Sequence, residues 1–160
     1  MKLVLKNALF TLIVPGTVGV YLPLVLTRGR SPGLGVASLA CLVLFAIALA
    51  IYLWSVWNFA SRGRATPLPI DAPKRLITQG PYLYNRNPMY LALFAALLGW
   101  NLLYQGTGLL IYSLAVAALV TLFVIGYEEP HLQREFGAEY DAYKARVPRW
   151  VLRPPRLPDA

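Results

Sequence analysis

With 58% hydrophobic and only 14% charged residues, this 160-residue chain is more apolar than a soluble domain of its size, which points to lipid as its solvent. Its net charge of +8 does not suggest nucleic acid, because the lysines and arginines cluster at the edges of apolar runs and form no single polar face. Cys41, the one cysteine, lies inside an apolar run and offers neither a disulfide framework nor a metal-ligand spacing.

In chain order, charged residues delimit the apolar segments: 7–27, 31–61 and 87–127 carry no Asp, Glu, Lys or Arg. A spanning helix needs about 20 apolar residues, so the first two stretches predict one span each, at about 8–26 and 35–58. Lys2 and Lys6 ahead of the first run resemble a signal peptide, but "LTRGRSPG" after it lacks a small-x-small cleavage site, and the run is read as a retained span. Pro15, Gly16, Gly19 and Pro23 there are read as packing positions. The second span brings Tyr52, Trp54 and Trp57 toward an interface. The third stretch would reach about 60 Å as one helix, twice the apolar thickness. "YQGTG" (104–108) supplies a polar, glycine-rich turn, which predicts a helical hairpin of about 88–104 and 108–126.

Lys and Arg fall unevenly: two precede the first span, Arg28 and Arg30 lie in the first loop, five fall at 60–88, none in the hairpin turn and six after residue 127. The positive-inside rule then places both termini and the 60–88 loop in the cytoplasm. No ionisable side chain lies within a span core, which leaves proton-coupled or cation transport without its usual group at bilayer depth.

Three segments converge on that cytoplasmic face. The loop "RGRATPLPIDAPKRLITQGPYLYNRNP" carries Pro67, Pro69, Pro73, Pro81 and Pro88, which predict an extended, turn-rich path. It exceeds the roughly 12–15 residues of an ordinary connection, and Leu76, Ile77, Tyr82, Leu83 and Tyr84 argue against disorder. "YEEPHL" puts Glu128 and Glu129 directly at the end of an apolar helix, where two partly desolvated carboxylates need a cationic or hydrogen-bonding partner. Since a hairpin brings its open ends together, Arg86 is expected beside Glu128 or Glu129, as a helix-end ion pair or as part of a functional site. In the tail, Leu132, Phe136, Tyr140, Tyr143 and Val147 share one helical face, predicted to lie along the membrane surface or to close the bundle as a lid. His131 is read as structural, "GLG" at 33–35 says little about phosphates, and no metal is expected.

Taken together, "LITQGPYLYNRNPMY", a hairpin and "EEPHLQREFGAEYDAYKARVP" resemble the isoprenylcysteine carboxyl methyltransferase family and the related phospholipid N-methyltransferases, over about residues 65–150. Gly80, Tyr82, Arg86, Pro88, Tyr90, Glu128, Glu129, Phe136, Gly137, Tyr140, Tyr143, Arg146 and Pro148 carry the resemblance; the first two spans match only in hydrophobicity. It implies an integral membrane enzyme that moves a methyl group from S-adenosylmethionine to a membrane-embedded substrate. It also implies that Leu76, Ile77, Gly80 and Tyr82 line the cofactor pocket, with Asn87, Pro88 and Tyr90 beside them and Glu128 and Glu129 closing it. Arg86, Glu129 and Arg146 would be nearest the reacting groups. A glutamate pair can offset the sulfonium charge, and the cofactor's carboxylate calls for backbone N–H or arginine donors. The family commonly has histidine where this chain has Asn87, and asparagine can hydrogen-bond but cannot shuttle a proton near neutral pH. If the position served as a base, Glu129 or an already deprotonated acceptor must stand in.

The expected protein is all-α, a single domain over 1–160: an integral membrane bundle of four transmembrane helices with a cytoplasmic loop and a C-terminal amphipathic helix, its cofactor region at 74–90 and 127–150. The expected activity is S-adenosylmethionine-dependent methylation of a lipid or lipid-linked acceptor, on a carboxylate or an amine, at the cytoplasmic face. Two rivals are a small membrane scaffold, in which Arg86 with Glu128 is structural, and a nicotinamide-dependent membrane reductase, whose larger cofactor needs more surface.

Overall fold

The computed structural model describes residues 2–33, 35–63 and 75–154. The expectations for Pro67, Pro69 and Pro73, and for Leu34 within "GLG", lie outside the described residues. Among the described residues all regular structure is helical.

Helix α1 covers residues 2–26 and contains a π turn at Thr17–Tyr21; α2 covers residues 36–63; α3 is Pro88–Tyr104; α4 is Thr107–Phe136, with a π turn at Val124–Glu128; α5 is Ala138–Arg146. A 3-10 turn, Gly80–Leu83, precedes α3. Among the described residues, three helices are long and apolar enough to cross a membrane, at Leu9–Leu26, Ser38–Ser61 and Thr107–Phe136. α3 is apolar as well but has 17 residues, about 26 Å at 1.5 Å per residue.

α3 packs most extensively on α2 and also touches α4 and the π turn of α1. Phe45 of α2 meets Trp100 of α3 edge-on, with ring centroids 5.4 Å apart. The π turn of α1 interrupts the regular helical ladder, and side chains of the hairpin bond to it: the Tyr112 hydroxyl donates to the Val18 carbonyl at 2.7 Å and Trp100 Nε1 to that of Gly19 at 2.9 Å. In an apolar setting each such carbonyl left unpaired would cost about 1–3 kcal/mol, so these bonds fasten α1 to the hairpin.

The bundle has two distinct ends. At one, the chain reverses at Gln105 (φ 46°), the Gly33 N–H donates to the Leu103 carbonyl at 2.8 Å, and Asn101 Nδ2 donates across the hairpin to Ser113 Oγ at 2.7 Å. At the other, residues 75–87, the charged last turns of α4, α5 and the following strap assemble around buried Tyr140, Tyr143 and Val147, with Leu76, Leu132 and Phe136 packed against them. The spacing of these tail residues reads as one continuous helix, whereas the structure breaks it at Gly137, whose φ of 48° favours glycine. α4 ends and α5 begins there, yet both halves of the apolar face reach the same cluster.

Candidate active site

Local turn chemistry delivers the site residues. Gly80 has a φ of 65°, and a Cβ there would lie 2.5 Å from Asn58 Nδ2, so only glycine lets the turn press against α2. The side chain of buried Asn85 then accepts the Asn87 N–H at 2.7 Å, closing an Asx-type turn ahead of Pro88. Proline at the first helical position loses no hydrogen bond, and α3 starts with Arg86 held just before it.

Across the hairpin, α4 presents the two glutamates. Arg149 grips Glu129 with two bonds, Nε to Oε1 at 2.7 Å and Nη2 to Oε2 at 2.8 Å. Arg86 Nη1 lies 3.0 Å from Oε1 of the same carboxylate and donates to the Tyr140 hydroxyl oxygen at 3.3 Å. Glu128 differs: its Oε2 accepts from the Tyr90 hydroxyl at 3.0 Å, and among the described residues no ion pair reaches it. Burial pushes the Glu128 carboxyl up, the Tyr90 hydrogen bond opposes this in part, and the Glu129 charge adds to it. At Glu129 burial also acts upward, but the Arg149 hydrogen bond and the charges of Arg86, Arg149 and Lys144 outweigh it and hold the carboxyl below the usual range.

Glu128, Arg86, Asn87, Tyr82 and Tyr90 line a cavity of about 180 Å³ that reaches Pro15 and Val18 of α1 and Tyr52 of α2. It adjoins an almost wholly apolar groove of about 580 Å³ between α1, α2 and α3, sharing Pro15, Tyr52, Met89 and Leu93 with it. Two buried atoms there and nearby have no hydrogen-bond partner among the described residues, Arg86 Nε and His131 Nε2. The His131 ring stacks on Tyr127 with centroids 6.0 Å apart.

Of the residues singled out from sequence, the structure gathers Tyr82, Arg86, Asn87, Tyr90 and Glu128 at the cavity. Glu129 stands behind Arg86, and Pro88 is buried at the start of α3. Leu76 packs on the Tyr140 cluster, Ile77 is buried, and Gly80 faces Asn58. Arg146 is not brought to the group: it is exposed, with its Nε on the Ala142 carbonyl of its own helix. Arg149 meets Glu129 in its place. Arg146 ends the tail helix and Arg149 and Arg153 follow it, and only the path of the chain after Val147 tells them apart.

The family model for phospholipid methyltransferase matches residues 36–139, more than half of the chain and including the hairpin, both glutamates and the first two residues of α5. The chain belongs to the phospholipid methyltransferase family, a family of membrane methyltransferases. An uncharacterized protein of Haemophilus influenzae strain Rd is 41% identical over 64 residues, which is 39% of this chain and 100% of that relative. No solved structure matches. Among the described residues no group of three or more His, Cys, Asp or Glu stands where it could hold a metal ion.

Proposed function

We propose that the protein is an S-adenosylmethionine-dependent methyltransferase acting on a lipid or lipid-linked acceptor. In this reading the whole chain is one domain, α1 to α4 all cross the bilayer, and both termini and the charged site face the cytoplasm, in keeping with the bias of Lys and Arg. The observation that carries the reading is Glu128, a half-buried carboxylate without a cation at a cavity that adjoins an apolar groove. Burying such a group is costly unless a positive partner joins it, and a cationic ligand would be that partner. Arg86 Nε, a donor without an acceptor, would take up an anionic or carbonyl oxygen of the same ligand.

S-adenosylmethionine supplies the methyl group from its sulfonium when bound. Tyr82, Tyr90 and Glu128 would hold it, with Leu76, Ile77, Gly80, Asn87 and Pro88 forming the wall that supports the turn. Arg86 and Glu129 would set the charge around the reacting atoms. Arg149 takes the place that the resemblance gives to Arg146. The apolar groove would receive the hydrocarbon part of the acceptor from the bilayer, so that its head meets the cavity oriented and desolvated. An amine suits this cavity better than a carboxylate, because a second carboxylate would face the unneutralised Glu128 that lines it. Glu128 is placed to receive the proton that an amine must lose.

The test is incubation of protein in lipid nanodiscs with methyl-labelled S-adenosylmethionine and either amine-headed or carboxylate-headed lipids. Label should enter the amine lipid and fall about 100-fold or more in Glu128→Gln. Label in neither lipid overturns the proposal.

A further inference from the structure

Beyond α5 the chain does not leave the site. Residues 148–153 run as a strap along the turn before α3, tied by four hydrogen bonds: Arg86 N–H to the Pro148 carbonyl at 3.0 Å, Asn87 Nδ2 to that of Arg149 at 3.2 Å, Asn85 Nδ2 to that of Val151 at 3.3 Å, and Arg153 N–H to that of Tyr84 at 3.0 Å. Asn85 and Asn87 are both buried, so neither side chain exchanges these partners freely for water. Trp150, within the strap, packs on Phe94 of α3 with ring centroids 5.5 Å apart.

Arg149 is held twice: its backbone by Asn87, and its side chain by Glu129, which also holds Arg86. The side chain can grip Glu129 with both nitrogens only while the backbone stays where Asn87 keeps it, since a two-point guanidinium contact tolerates little displacement. We propose that Asn87 is a positioning residue: by holding the Arg149 carbonyl it fixes the strap, keeps Arg149 on Glu129 and thereby sets Arg86 at the cavity. Its effect on turnover rests on the methyltransferase reading; its effect on the strap does not.

An asparagine serves this purpose as a hydrogen-bond donor, and a neutral histidine could donate from the same place, whereas aspartate of the same shape cannot. Hydrogen exchange of the full-length protein in detergent, read by mass spectrometry over residues 149–153, therefore tests the proposal directly. Asn87→Asp should exchange about tenfold faster there while α2 and α3 keep wild-type protection, and Asn87→His should stay within about twofold of wild type. If Asn87→Asp loses protection throughout α2 and α3, Asn87→Ala is read instead, with the same expectation. In turnover, Asn87→Asp and Arg149→Lys should each cost about tenfold, and the double variant little more, because both act through one contact. Unchanged strap exchange in the donor-less variant, failure of Asn87→His to restore it, or additive losses in the double variant would each overturn the proposal. Exchange needs neither cofactor nor acceptor, so a wild-type protein that transfers no methyl group sinks the proposed function and leaves the strap result to be judged by itself.

Discussion

Glu128 and Glu129 are neighbours in the chain with opposite surroundings, and pH should separate them. The Glu129 carboxyl is held below its usual range, so its ionisation stabilises the native state above that range and the contribution is lost as pH falls through the lowered value. Glu128 runs the other way: burial raises it, so stability declines as pH climbs from the usual carboxylate range through the raised value. Thermal unfolding in detergent between about pH 3 and pH 8 should show Glu129→Gln flattening the acid limb and Glu128→Gln removing the decline at higher pH. A second residue-level test is Tyr143, whose hydroxyl donates to the Tyr82 carbonyl at 2.8 Å. Tyr143→Phe leaves that buried carbonyl unpaired and should cost about 1–3 kcal/mol by denaturant unfolding. The glutamate pair and Arg86 stand out in the sequence as charges bounding apolar helices. Which glutamate Arg86 meets does not, because the π turn at Val124–Glu128 widens the helix immediately before it. One extra residue in a turn rotates everything after it by about 100°.

At the scale of elements, the turns decide the geometry and two glycines distinguish two kinds of demand. Gly137 has a φ of 48° and a ψ of −121°, with no atom beyond its chain neighbours within 4 Å of where a Cβ would sit, so Gly137→Ala should cost only the backbone strain, about 1–3 kcal/mol. Gly80 has a φ of 65° and the Asn58 side chain against it, so Gly80→Ala should lower the unfolding temperature further and disturb Tyr82 and Arg86 beyond it. Equal shifts for the two variants would contradict this account. The tail's apolar face is visible in sequence because Leu132, Phe136, Tyr140, Tyr143 and Val147 keep helical spacing. The break at Gly137 is hidden for the same reason, since that spacing passes through it unchanged. The strap is equally hidden: "VPRWVLRP" has no period, and its hydrogen bonds to residues 84–87 are set by tertiary contact alone.

For the whole molecule, apolar helices bring a small set of charges to one end of the bundle, beside a groove that runs up between α1, α2 and α3. The charge-free stretches and the polar turn at Gln105 and Gly106 make the hairpin legible from sequence. The groove is not legible, because Thr11, Ala48 and Ala96 have no motif that marks them as lining one space. If the groove holds the acceptor's hydrocarbon part, Ala96→Phe should raise KM for the lipid about tenfold or more while cofactor affinity stays within twofold. The measurement that bears most directly on the central claim is calorimetric titration of S-adenosylhomocysteine into detergent-purified protein, with Glu128→Gln and a nicotinamide dinucleotide as controls. The account predicts saturable binding to the wild type, at least tenfold weaker binding to the variant, and none of the dinucleotide. A folded wild-type protein that binds no S-adenosylhomocysteine would contradict it.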